Sequence, residues 1–312
     1  MPHKARRSYF AIRAWNVELA SIKDGGTRTI SDGAEGRASV ALQVRIQWWK
    51  EALSQIYGLG RYENNQNHSK IDASSVLDTL ASSYFKNPIV RVLDYAVYEK
   101  QLTRRFLERL LEAREADLHS QQPETVDDMI EYADNIHSSL LYLALETVGV
   151  RDESVDVVAQ HAGIGIGLVT ALRGARIRLN RGECFVPKDL LPQDFPYYKL
   201  LHTNSISLKK DERAEETTNC ERNQLDADEK KILKDAIEKI CKLAGLHLLK
   251  ARELQGDVPS HARASFLPII PALHHLSKIE KAKYDIFDEA LLENDNLTIL
   301  LKVGRSWLTG VF

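Results

Sequence analysis

The stretch from His161 to Leu191, HAGIGIGLVTALRGARIRLNRGECFVPKDLL, constrains the fold more than any other part of the chain. Its first half sets Gly163, Gly165 and Gly167 on an apolar background. Each glycine costs a helix interior about 1 kcal/mol relative to alanine. Glycines so closely spaced imply a helix that packs tightly on its neighbours or forms the wall of a cavity. The second half, Arg181-Gly182-Glu183-Cys184-Phe185-Val186-Pro187, is a short extended run that stops at proline before Asp189, Leu190 and Leu191.

Helical periodicity continues on both sides. From Ser8 to Asp24 the positions Phe10, Ile12, Ala14, Val17, Leu19 and Ile22 suit a buried helix, closed by Gly25-Gly26. A second pattern runs from Val40 to Tyr57 through Val44, Trp48, Leu53 and Ile56 and ends at Gly58. Further helices are predicted over Ser74 to Phe85, over Pro88 to Tyr98 with Asn87 as cap, and over Leu102 to Leu118. Thr125 to Val148 opens with Asp127, Asp128 and Glu131 near the positive helix end and closes at Gly149. Asp152 to Arg178, Glu229 to Leu254, Ser260 to Lys278 and Asn296 to Leu308 complete the set. No segment alternates long enough for a sheet, so the expectation is an all-α fold of about ten helices packed as a single bundle. One domain is expected over residues 1–312, with loops or disorder at 25–39, 61–73 and 202–228. The last of these is heavily charged, and it cannot offset its own ordering entropy.

Composition narrows the function. A hydrophobic content of 44% supports a sizeable core, and no run of about 18 apolar residues predicts a membrane span. The net charge of -2 and a pI near 6.6 exclude a general nucleic-acid binder. Cys184, Cys220 and Cys241 are odd in number and widely spaced, which fits a reducing compartment with no disulfide framework. None has a second cysteine or histidine at metal-ligand spacing. The basic start, MPHKARRSYFAIRAWN, enters helical periodicity within about eight residues, too soon for a cleavable transit peptide. No targeting segment is visible in the chain.

Arg181 to Leu191 is similar to an Arg-x-Tyr-Leu-Pro-x-Asp-Leu-Leu run, and Phe106 to Leu118 to a Phe-x-x-Leu-Ile-x-Gly-x-x-x-Asp-Leu helix. Tyr132 to Gly149 is similar to a glycine-terminated helix that begins near a tyrosine. With these landmarks most of the chain resembles the squalene and phytoene synthase family of head-to-head prenyltransferases. The resemblance implies an isoprenoid-synthase-like bundle around a central cavity, with two aspartate-rich helices holding magnesium for a substrate diphosphate. Carboxylates at i and i+4 share one helix face, and hard oxygen ligands suit magnesium.

The family's acids are where the chain departs. Aligning Ala14 to Asp24 with Ala-Phe-Cys-Arg-x-x-Asp-Asp-Ile-Val-Asp puts Ala20 and Ser21 at the leading aspartates and leaves Asp24. The family's Leu-Arg-Asp-Val-x-x-Asp falls on Leu172 to Arg178, so Gly174 and Arg178 take the other acid positions. One surviving carboxylate cannot assemble a multi-metal site. Ala20, Ser21, Asp24, Gly174 and Arg178 are therefore read as a degenerate motif with no metal, no cofactor and no catalysis, a pseudoenzyme. The alternative is an active prenyltransferase with a displaced metal site.

One branch resembles the chain more closely. Phe10 to Ala20, in which Asn16 and Glu18 replace the catalytic pattern, is similar to the signature of the complex I assembly factor 6 group, as are Ser138 to Glu146, Leu246 to Arg252 and Tyr284 to Asp288. This resemblance implies a role in assembling NADH:ubiquinone oxidoreductase in the mitochondrion, on the matrix side of the inner membrane. Complex I subunits or other assembly factors are the implied partners, with room for peripheral membrane contact and for an apolar lipid in the cavity.

Asn16, Glu18, Asp24, Tyr132 and Arg173 are the candidate cavity or partner-binding residues. Asn16 and Glu18, two apart on a helix, point in different directions. Arg173 stays in register with the family's active helix and can bind an anion or pair with Asp24. The stripe Asp127, Glu131 and Asp134 is favoured by the helix dipole without any metal. Trp48 and Trp49, beside Arg45 and Lys50, form either a partner- or membrane-facing surface or a pair with one core member. His247, His274 and His275 read as structural or solvated, since neighbours in sequence do not face one another on a helix.

Overall fold

A computed structural model describes residues 3–26, 35–58, 83–118, 120–201 and 225–312. The described residues form helices and turns, with no strand among them. The α-helices are α1 (His3–Gly26), α2 (Glu35–Gly58), α3 (Pro88–Lys100), α4 (Arg104–Asp117), α5 (Val126–Ala133) and α6 (Ser139–Thr147). After them come α7 (Glu153–Arg173), α8 (Ala175–Leu179), α9 (Ala227–Glu253), α10 (Ile269–Lys281) and α11 (Asn296–Thr309).

Capping explains several boundaries. Asn87 Oδ1 accepts the Ile89 and Val90 N–H groups at 2.8 and 3.3 Å, with Pro88 in the first turn where its missing N–H costs nothing. Thr125 and Asp128 form a reciprocal capping box at the start of α5. Gly149 closes α6 at φ +82°, a conformation glycine adopts without a Cβ penalty. The long helix expected over Thr125 to Val148 is present but interrupted: Asp134–Ser138 forms a π turn between α5 and α6.

Several expected boundaries are corrected. The loop predicted over 25–39 is shorter, because α1 reaches Gly26 and α2 begins at Glu35. Glu35, Arg37 and Ala38 are good helix formers and no proline opposes them. The loop predicted over 202–228 ends earlier, at a capping box between Asp226 and Glu229 that launches α9 from Ala227. The loop at 61–73 lies outside the described residues, as does most of the helix expected over Ser74 to Phe85, of which Ser83–Lys86 is a 3-10 turn. The helix expected from Asp152 to Arg178 breaks at Gly174. That expected from Ser260 starts at Ile269, with a 3-10 turn, Arg263–Phe266, before it.

The chain divides into two compact units. The first takes the described residues within 1–119, 139–156 and 259–265. Here α1 packs on α2, α3 and α6, and α4 packs on α2 and α6. Trp15, Ile12, Leu19 and Ile22 of α1 are buried, as are Ile46, Trp49 and Ile56 of α2. Trp49 stands edge-on to Trp15 at 6.5 Å and to Trp48 at 4.8 Å, and Trp48 meets Tyr84 at 5.4 Å. Trp49 is the core member of the pair, and half-buried Trp48 belongs to the same aromatic cluster.

The second unit takes residues 120–138, 157–258 and 266–312, so far as they are described. Its α7 carries the glycines that open the sequence argument, and close packing is their purpose. A Cβ on Gly163 would lie 2.5 Å from Ser138 Cα, one on Gly165 2.6 Å from Leu248 Cγ, and one on Gly167 2.5 Å from Ala133 Cβ. The absent side chains admit α5 with its π turn, and α9, at distances no alanine allows. By length and mean hydropathy α7 is apolar enough to cross a membrane, although Gln160 and His161 interrupt its apolar run. Most of it is buried within the protein, as expected of a core helix.

Candidate functional site

Asn16, Glu18, Ala20, Ser21 and Asp24 lie on α1 in the first unit, whereas Tyr132, Arg173, Gly174 and Arg178 lie in the second. Each set is described by itself.

On α1 the 3.6-residue period turns Trp15, Leu19 and Ile22 inward and leaves Asn16, Ala20 and Ser21 half-buried beside them. The Ser21 hydroxyl donates to the Glu18 carbonyl at 2.7 Å, so it is spent on its own helix. Ala20 offers only a methyl group. Asp24 belongs to α1, but its side chain lies outside the described residues. Glu18 accepts from Arg45 Nη2 at 3.2 Å, a half-exposed pair of the kind that contributes about 0–1 kcal/mol. Asn16 differs: its Oδ1 is buried and has no hydrogen-bond partner among the described residues, as is true of the neighbouring Trp15 Nε1. A buried polar atom left unpaired costs about 1–3 kcal/mol, so each of these atoms marks a point where a water or a ligand group would be stabilising.

In the second unit, Gly174 ends α7 at φ -82°, ψ -2°, and the helix resumes as α8. Arg178 of α8 is half-buried with its Nε 3.9 Å from the carboxylate of buried Glu183. At the position where the resemblance led one to expect a metal-binding acid, this chain has a base, with an acid five residues on. Truncating Arg178 would leave the buried Glu183 carboxylate without this partner. Glu183 is held in place by the extended run that follows. The Cys184 N–H donates to Gln121 O at 2.9 Å, Gln122 Nε2 to Val186 O at 2.7 Å, and the Asp189 carboxylate accepts the Val126 N–H of α5 at 3.1 Å. The run thus serves as backbone scaffolding.

Arg173 is exposed, and the expected pairing with Asp24 lies outside the described residues. Its charge is felt by His275, which is pushed down to about 4 by burial first, then by the positive charges of Arg173, Lys278 and His274. Tyr132 is half-buried on α5. Asp127 and Glu131 are exposed, and Asp134 begins the π turn. Among the described residues no three His, Cys, Asp or Glu side chains are placed to hold a metal. Burial pushes the Cys184 thiol up to about 11 and that of Cys241 to about 12, which removes both as nucleophiles at neutral pH.

Two polar clusters escaped the sequence reading. His161 and His247 face each other with Nδ1 atoms 3.1 Å apart, and burial lowers the pKa of both. Glu146 is buried at the end of α6, where its carboxylate accepts the Thr103 N–H at 2.8 Å, the Thr103 hydroxyl and the Arg151 guanidinium. Burial raises its pKa, against these donors. An acid directly after the apolar run Leu140 to Leu145 was the available signal for the second cluster.

The family model described as squalene/phytoene synthase matches residues 1–298. The chain belongs to this family. Among curated relatives, the human "NADH dehydrogenase (ubiquinone) complex I, assembly factor 6" is 30% identical over 307 residues, covering 98% of this chain and 75% of the human protein. The homolog of that factor from Dictyostelium discoideum is 26% identical over 285 residues, covering 91% of this chain and 65% of its own length. Among solved structures, a dehydrosqualene synthase in complex with ligand matches with a TM-score of 0.52 at 15% identity, over 94% of this chain and 98% of that one. The squalene synthase HpnC from Alicyclobacillus acidocaldarius gives 0.50 at 15% identity, over 91% and 97%. The fold is therefore the all-α isoprenoid synthase fold.

Proposed function

We propose that this member of the squalene/phytoene synthase family acts, without prenyl transfer, in the assembly of mitochondrial respiratory complex I on the matrix side of the inner membrane. The observation that carries the non-catalytic reading is Arg178 set against Glu183, at what the resemblance makes a motif position. Release of diphosphate needs a Lewis acid at the leaving oxygens, and magnesium needs several hard oxygen ligands. A guanidinium, a methyl group, a hydroxyl bonded to its own helix and a glycine provide no such set. The relatives named as complex I assembly factors support the assembly role.

On this reading α1 keeps the half-buried Asn16 and the paired Glu18 for partner or lipid contact, and Asp24, Tyr132 and Arg173 are further candidate contacts. Complex I subunits or fellow assembly factors are the partners. Two measurements test it. Purified protein incubated with magnesium and farnesyl or geranylgeranyl diphosphate should yield no prenyl product and release no diphosphate. Mitochondria from cells lacking the gene should hold markedly less assembled complex I. Turnover in the first assay, or normal complex I in the second, overturns the proposal.

A further inference from the structure

The last helix presents an apolar face to solvent. Along α11, Leu297, Leu300, Leu301, Trp307 and Leu308 are 62–78% exposed. At 100° per residue, and with Leu297 as origin, Leu308 lies at about 20°, Leu301 at about 40°, Leu300 at about -60° and Trp307 at about -80°. The five side chains form one arc, some 120° wide, along a helix about 21 Å long. Ser306, on the opposite side, is buried, and Ile299 and Val303 are half-buried there. The helix thus has two apolar faces, and the unit covers one of them, through α10.

The charge on this helix selects the partner. Arg305, at about 80°, is exposed beside Leu301, and Lys302, at about 140°, is exposed between Arg305 and the buried side, while residues 296–312 contain no Asp or Glu. Lys302 Nζ lies 2.9 Å from His274 Nδ1, whose Nε2 meets the Asp295 carboxylate at 3.1 Å, and among the described residues no acid pairs directly with Lys302. Apolar side chains flanked by cations, with a tryptophan at the margin of the arc, match the layered chemistry of an anionic bilayer surface. Acyl chains take the leucines, the interface takes the indole, and headgroup phosphates take the Lys and Arg. A second copy of the same helix brings no acid to meet these cations.

We infer that α11 is an in-plane membrane-contacting helix that docks this protein on an anionic phospholipid surface through Leu297, Leu300, Leu301, Trp307 and Leu308, with Lys302 and Arg305 at the headgroups. The inference deepens the proposed position beside a membrane and rests on that reading only for which membrane is meant. Vesicle binding and complex I levels are measured separately, so either can fail alone.

The test is co-sedimentation of the full chain with vesicles of phosphatidylcholine and phosphatidylglycerol in about a 3:1 ratio, and with phosphatidylcholine alone. The protein should sediment with the anionic vesicles, bind the neutral ones more weakly, and be released by salt. Leu301→Glu/Leu308→Glu should weaken binding at least about tenfold, because two buried leucines are exchanged for charges repelled by the headgroups. Trp307 emission should shift to the blue on binding, a signal that Trp307→Phe abolishes while the other tryptophans report no change. Absence of sedimentation overturns the inference, as does undiminished binding by the double variant. A leucine-dependent dimer with no vesicle binding would assign the face to a second copy instead, and a leucine-dependent protein complex with no vesicle binding would assign it to a protein partner.

Discussion

Replacing Gly163 with alanine should destabilise the protein, although the same change in an ordinary helix stabilises it. Alanine gains about 1 kcal/mol over glycine in a helix interior. At Gly163 the added methyl group would meet Ser138 Cα at 2.5 Å and the Ser138 N and Oγ closer still. A carbon–carbon contact settles at about 3.5–4.0 Å, so the two backbones must part by about 1 Å. The obstructing atoms are largely main chain and cannot swing aside. Overpacking of this kind costs about 1–3 kcal/mol and more when backbone moves, so the net loss is about 2 kcal/mol. Gly245 in α9 provides the internal control, because nothing lies within 4 Å of its virtual Cβ. Gly245→Ala should stabilise by about 0.5–1 kcal/mol. Thermal melts followed by circular dichroism should place Gly163→Ala about 4–8 °C below the parent protein and Gly245→Ala slightly above it. If Gly163→Ala melts at or above the parent, the close approach of α7 to the π turn is wrong.

Two further outcomes follow from buried charge. His275 is held neutral, with its pKa pushed down to about 4, while the unfolded chain titrates near 6.5. The unfolded state therefore binds the extra proton between these values, and stability should fall by about 2–3 kcal/mol as pH drops from 6.5 to 4. Urea midpoints across that range should be flatter for His275→Gln, and an unchanged slope would refute the assignment. Glu146→Ala strips the acceptor from the Thr103 N–H, the Thr103 hydroxyl and Arg151. It should cost about 3 kcal/mol, measurable as a lowered urea midpoint, and a loss below 1 kcal/mol would show that these donors are solvated.

What was legible in the sequence was what local chemistry encodes. Asn87 and Thr125 start their helices as their side chains dictate, and Gly149 stops one where a left-handed residue is required. The capping box from Asp226 to Glu229 was equally local, but it lay inside a run of charge that reads as solvated loop. The helix break at Gly174 was hidden because Leu172, Ala175 and Leu179 carry the apolar helical period across it. Long-range pairs were not readable at all. His161 and His247 stand 86 positions apart, and the Glu146 carboxylate depends on Thr103, 43 positions upstream. Nor does periodicity tell which side of α11 meets solvent, since both of its apolar faces fit a core. Ala20, Ser21 and Gly174 could be read directly as lacking a carboxylate, whereas the Glu183 that answers Arg178 required the turn between them.

The π turn at Asp134–Ser138 bears on how residues may be equated between this chain and its relatives. A π turn accommodates one more residue than the α-helix it interrupts, and one residue is 100° of rotation. A homologue whose helix runs on without it would be one position shorter there. Tyr132 and Glu146, which flank the turn, then carry different offsets to the same template. Any transfer of function by column across this helix needs a gap at the turn, or every residue beyond it is matched to its neighbour.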